Sequence, residues 1–121
     1  MENQLKGRTK EFALRVIRLY EALPKSTTAQ VIGKQVLRSG TSVGARYREA
    51  CRARSSAEFI SKIEGGLQEL EETQYWLELL VDSEIMPESH LQNLQDEANQ
   101  LVAMLTASVK TTKERTKPKR R

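Results

Sequence analysis

The chain has 121 residues, of which 38% are hydrophobic and 30% charged, and a formal net charge of +4; this size and balance fit one domain around a single core. Three prolines and six glycines are too few for a many-turned β protein. The lone Cys51 excludes an internal disulfide, no apolar run approaches the ~18 residues of a membrane span, and MENQLKGRTK lacks the apolar stretch of a signal peptide, so a reducing cytoplasm is the expected setting.

Four segments carry helical periodicity. In the first, from about Thr9 to Leu23, Phe12, Val16, Leu19 and Leu23 recur at helical spacing, flanked by Ala13, Ile17 and Tyr20, until Pro24 stops it. The second runs from about Thr28 to Ala53, capped by Thr27 or Thr28. Its apolar face is Ile32, Val36, Val43, Tyr47 and Ala50, and Gly33, Gly40 and Gly44 beside that face leave room for a close neighbouring helix. Three glycines with Ser39, Thr41 and Ser42 predict a kink near Gly40.

Ser55 or Ser56 caps the third helix, with Glu58 in its first turn and Phe59, Ile63, Leu67, Leu70, Leu77 and Val81 as its core stripe. The fourth starts near Pro87, a favourable first-turn residue, and Leu91, Leu94, Ala98, Leu101 and Leu105 alternate by three and four. After Val109 the pattern dissolves into KTTKERTKPKRR. The division is therefore a flexible 1–8, a bundle over 9–110 and a basic, disordered tail over 111–121. Short connections make an all-α, antiparallel up-down-up-down four-helix bundle the expected fold.

The residues supply no catalytic centre, metal site or cofactor site. A triad or thiol enzyme needs a nucleophile with a base, and the only histidine, His90, and the only cysteine, Cys51, lie on different segments. Di-iron bundles need Glu-x-x-His on two helices, whereas Pro87 stands three before His90. Walker loops and paired cysteines are missing, and Gly65-Gly66 lies inside a helical pattern as a tight packing point rather than a phosphate cradle.

Charge is strongly segregated. Residues 1–54 sum to +8, residues 55–84 to −7 and residues 85–121 to +3, a pattern that fits either a polyanionic partner or internal matching between segments. On the second helix Lys34, Arg38, Arg48 and Arg52 fall within an arc of about 80°, a row about 27 Å long. Such a row can follow a nucleic-acid backbone, with the tail bases Lys113, Arg115, Lys117, Lys119, Arg120 and Arg121 as a second contact. The competing reading pairs the row with Glu64, Glu71, Glu78 and Asp82 of the third helix, within or between subunits, at ~0–1 kcal/mol per exposed pair. Tyr75, Trp76, Leu77, Leu79, Leu80 and Val81 nearly encircle the end of the third helix. Its core stripe uses one side, so Trp76, Leu79 or Leu80 is left either for a partner or for a locally thicker core.

Three phrases, QVLRSGTSVGARYREA (Gln35–Ala50), FISKI (Phe59–Ile63) and LEETQYWLELL (Leu70–Leu80), together with FALRVIRLYEALP on the first helix, resemble the bacterial four-helix-bundle proteins encoded by intervening sequences in 23S rRNA genes. The resemblance covers about residues 9–108. It implies a non-enzymatic bundle assembled into a ring, commonly a homopentamer, with a basic surface for RNA or DNA. It also reaches, distantly, the pentameric accessory protein of diversity-generating retroelements, which binds nucleic acid and a reverse transcriptase. One departure is Arg46, where the family phrase often has Asn; it alters a polar contact or adds positive charge to the binding face. The expected nucleic-acid residues are therefore Lys34, Arg38, Arg46, Arg48 and Arg52, and the expected oligomer interface is Tyr75, Trp76, Leu79 and Leu80. A protein-interaction scaffold whose charged rows only pair helices or subunits is the alternative.

Overall fold

A computed structural model describes residues 2–117, which form four α-helices and no strand: α1 (Glu2–Ala22), α2 (Thr27–Cys51), α3 (Ser56–Asp82) and α4 (Glu88–Arg115). The predicted basic residues Lys119, Arg120 and Arg121 lie outside the described residues. No helix among the described residues is long and apolar enough to cross a membrane.

Each helix packs on its neighbours in sequence, and α1 meets α4 along the narrowest seam. The contacts of successive helices run in opposite order. Between α1 and α2, Leu23 faces Gly33, Val16 faces Gly40 and Thr9 faces Gly44. Arg38 reaches Glu69 and Glu72 while Lys62 reaches Glu49 across α2 and α3, and Gln74 meets Asn99 while Glu64 meets Lys113 across α3 and α4. Consecutive helices are therefore antiparallel. The enclosed core joins Phe12 and Val16 of α1, Val36 and Val43 of α2, Ile63, Leu70 and Leu77 of α3, and Leu91, Leu101 and Leu105 of α4.

The glycines of α2 let α1 pack closely. The helix is continuous from Thr27 to Cys51, so the kink expected at Gly40 is not a break in its hydrogen bonding. The hydroxyls of Ser39, Thr41 and Ser42 donate to the carbonyls of Gln35, Leu37 and Arg38 one turn back, at 2.7–2.8 Å, so each finds its acceptor within α2. Gly40 lets α1 approach so closely that an added Cβ would stand 2.8 Å from Val16 Cγ2.

Three boundaries differ from the sequence reading. The segment read as flexible over 1–8 belongs to α1 from Glu2 onward, because Leu5 is buried in the core and Thr9, fully buried, returns its hydroxyl to the Leu5 carbonyl at 2.8 Å. The cap of α2 is Ser26, whose Oγ accepts from the Ala29 N–H at 3.3 Å, and not Thr27 or Thr28. The fourth helix continues to Arg115, beyond the expected end of the bundle: Val109 is buried, Thr112 Oγ1 donates to the Ser108 carbonyl, and Lys113 lies 3.8 Å from Glu64. Ser55 caps α3 as expected, its Oγ 3.0 Å from the Glu58 N–H.

The turn from α3 to α4 is a Schellman motif. Ile85 N–H donates to the Leu80 carbonyl at 3.0 Å and Glu84 N–H to the Val81 carbonyl at 2.9 Å. The left-handed position, usually glycine, is held by Glu84 at φ 63°.

Candidate nucleic-acid interface

The basic residues of α2 divide into two groups according to whether they meet a carboxylate. Arg38 is tied back to α3: its Nη1 lies 3.3 Å from Glu69 Oε1, and its Nη2 donates to Glu72 Oε1. The hydrogen bond that Arg38 donates to Glu72 raises its pKa most, against desolvation by burial, with the charges of Glu72 and Glu69 adding to the rise. Arg46 lies along the surface of α3, where the missing side chains of Gly65 and Gly66 make room for its stem; a Cβ at Gly66 would stand 3.4 Å from Arg46 Cβ. Its Nη1 is 3.6 Å from Glu49 Oε1, which also receives Lys62 Nζ at 3.3 Å. These two arginines thus knit α2 to α3.

Lys34, Arg48 and Arg52 form the other group. All three are exposed, and among the described residues no carboxylate lies within ion-pair distance of any of them. Arg48 occupies the last turn of α2, where a cation also complements the negative end of the helix dipole. Lys6 and Lys10 of α1 extend the same charge: Thr9 packs on Gly44, and the antiparallel register sets Lys6 level with Arg48 across the α1–α2 seam. Neither lysine has an acidic partner among the described residues. The result is a basic flank formed by the outer faces of α1 and α2.

The acids proposed to neutralise the row are mostly elsewhere. Glu64 turns towards α4 and Lys113, and Glu78 and Asp82 line a shallow groove of about 230 Å³ with Glu88. The heptad Glu64–Glu71–Glu78 lies on the α4 flank of α3, whereas Glu69 and Glu72 flank Thr73, the buried residue that meets α2 through a 2.7 Å hydrogen bond to Ser39 Oγ. Thr73, a polar residue at a core-facing step, was the sequence signal for this register. Arg8 was missed because it fell in the segment read as flexible. Its Nε and Nη2 form a two-pronged pair with Glu97 of α4 at 3.0 and 2.8 Å, and Nη2 also donates to Gln100 Oε1. That pair raises the Arg8 pKa against the opposing effect of burial. Leu5, seven residues before Phe12 on the same stripe, was the available sign that helix and core extend this far.

At the end of α3, Leu80 is completely buried and belongs to the bundle core, which removes it from the expected oligomer interface. Tyr75 is 52% exposed and packs its ring 5.1 Å from that of Trp76. Trp76 and Leu79 are half-buried, and the indole N–H of Trp76 is enclosed without an acceptor among the described residues. Cys51 and His90 lie at opposite ends of the bundle, since the end of α2 adjoins the start of α3 while α4 begins beside the end of α3. Among the described residues no group of three or more His, Cys, Asp or Glu side chains is placed to hold a metal ion.

Comparison with known proteins agrees with this architecture. No curated protein matches the chain. A crystal structure of a protein of unknown function from the S23 ribosomal protein family of Bacteroides thetaiotaomicron is 38% identical, with a TM-score of 0.85 over 90% of this chain and 97% of that one. The sequence pattern of one family spans residues 1–107, from the start of α1 well into α4. With its four helices, its phrases in order and this coverage, the chain belongs to the 23S rRNA-intervening sequence protein family.

Proposed function

We propose that the chain is a non-enzymatic, cytoplasmic bundle that binds the backbone of RNA or DNA through the basic flank of α1 and α2. The observation that carries this reading is the exposed row Lys34, Arg48 and Arg52, which has no acidic partner among the described residues although α3 beside it is strongly acidic. Arg38 and Arg46 contribute less, being drawn towards carboxylates of the same chain. Contact is directed at phosphate, because no aromatic side chain is interleaved with the row and phosphate contacts carry no base information. The family description, which refers to a 23S rRNA-intervening sequence, fits an RNA setting.

Fluorescence anisotropy with a labelled structured RNA and a duplex DNA tests this. Affinity should fall steeply with salt, and Lys34→Ala, Arg48→Ala and Arg52→Ala should each reduce the log–log slope by about one. No binding of either probe at low salt refutes the proposal.

The second reading, a scaffold that assembles with itself, draws on the apolar residues at the end of α3. Tyr75, Trp76 and Leu79 present a partly exposed aromatic and aliphatic patch, of the kind that partner surfaces use. We assign homo-oligomer formation to this patch, with five copies as the ring size implied by the family resemblance. Light scattering should show a multiple of the 13.8 kDa chain mass that drops on Tyr75→Asp or Leu79→Asp. A monomeric wild type refutes it.

A further inference from the structure

Among the described residues, no side chain seals the end of the bundle where α1 and α3 begin and α2 and α4 finish. A groove of about 690 Å³ opens there, floored by Leu5, Tyr47, Phe59 and Met104. It opens between α1 and α4, the least packed pair of neighbouring helices, and the small residues Ala107, Ser108 and Thr111 of α4 line it where a larger side chain would close it. The volume lies within the roughly 300–1,000 Å³ of small-molecule sites. Its charge is one-sided, since Arg54 and Arg115 line it and, among the described residues, no carboxylate does. Neither guanidinium has an ion-pair partner among the described residues. The nearby Glu58 directs a carboxylate oxygen at the Arg54 backbone N–H, 3.2 Å away, rather than at its side chain. Hydroxyls of Ser55 and Thr112 add polar contacts along the wall.

We propose that this groove binds an amphipathic anion, a medium-chain carboxylate whose tail covers Leu5, Phe59 and Met104 and whose head group is met by Arg54 and Arg115. An apolar floor alone accepts any oily group. Two guanidinia without an ion pair among the described residues select for an anion, because a cationic head would be repelled and a neutral one would leave both without a charged acceptor. The site is on the end of the bundle, away from Tyr75 and Trp76, and does not depend on the nucleic-acid reading.

The test is calorimetric titration of the full chain with octanoate, decanoate and dodecanoate below their micelle concentrations, with decanol and decyltrimethylammonium for comparison. Saturable one-to-one binding is expected, tightening about fourfold per added methylene. Arg54→Gln with Arg115→Gln should weaken decanoate at least tenfold, and Ala107→Trp, at an exposed position, should abolish binding by filling the groove. Both variants change exposed residues, and circular dichroism confirms that they fold. With methyl-labelled methionine, decanoate should shift Met104 and leave Met86, in the connection at the other end of the bundle, in place. A silent Met104, affinity independent of chain length, or equal binding of decanol or the cationic chain overturns the proposal.

Discussion

Alanine at four positions separates helix propensity from helix packing. Replacing a mid-helix glycine with alanine gains about 0.5–1 kcal/mol from backbone entropy wherever the new methyl has room. Gly7 of α1 has no heavy atom within 4 Å of an added Cβ, so Gly7→Ala should show this gain in full. At Gly40 the methyl would meet Val16 Cγ2 at 2.8 Å, Cγ1 at 3.0 Å and Cβ at 3.2 Å. Because the branching carbon itself is that close, no rotation of Val16 relieves the contact, and α1 must shift outward. Overpacking of this kind costs about 1–3 kcal/mol, so the net effect of Gly40→Ala is a loss of roughly 1–2 kcal/mol after the propensity gain. Gly44, whose nearest neighbour would be Thr9 Oγ1 at 3.2 Å, should be close to neutral. Thermal unfolding at one fixed protein concentration reads the series, with about 3–5 °C per kcal/mol for a chain of this size. Val16→Ala in the Gly40→Ala background should recover more stability than additivity allows, since it removes the clashing methyls. If Gly40→Ala stabilises as much as Gly7→Ala, the close approach of α1 to α2 is wrong.

Two further substitutions probe the ends of the bundle. Glu97→Ala leaves the Arg8 guanidinium, only 25% exposed, without its carboxylate; urea denaturation should show a loss of about 1–2 kcal/mol, and Arg8→Met in the same background should restore part of it. Glu84→Gly relieves a left-handed residue in the Schellman turn and should stabilise the chain by about 0.5–1 kcal/mol; an unchanged or lower melting temperature would mean that Glu84 is not strained there.

The four helices were legible because their apolar residues recur at helical spacing and their ends carry proline or capping serine. The boundaries were less so, for reasons visible in particular residues. The start of α1 reads KGRTK around polar and charged side chains, and only the buried Leu5 and the backward hydrogen bond of Thr9 disclose that it packs. Past Val109 the last turns of α4 are held by a single buried residue, Thr112 and the pair Lys113–Glu64, none of which makes an apolar stripe. At Gly40 the sequence showed weak helix formers in a row, but α1 supplies tertiary contact that outweighs about 1 kcal/mol of propensity per glycine.

The candidate site was half legible for a different reason: a helical wheel gives each side chain a direction but not the rotation of the neighbouring helix. Lys34, Arg38, Arg48 and Arg52 share an outward arc on α2 by sequence alone. Whether a given cation finds a carboxylate depends on which edge of α3 faces it, and the Ser39–Thr73 hydrogen bond marks that edge. Glu69 and Glu72 then fall beside Arg38, while Arg48 and Arg52 lie level with the start of α3, where Glu49 meets Lys62, and have no acidic partner among the described residues. The same rotation takes Leu80 into the core and leaves Tyr75 outside. The rotation of α3, marked by this buried hydroxyl pair, therefore decides that Arg38 is neutralised and which apolar residues stay available to a second copy.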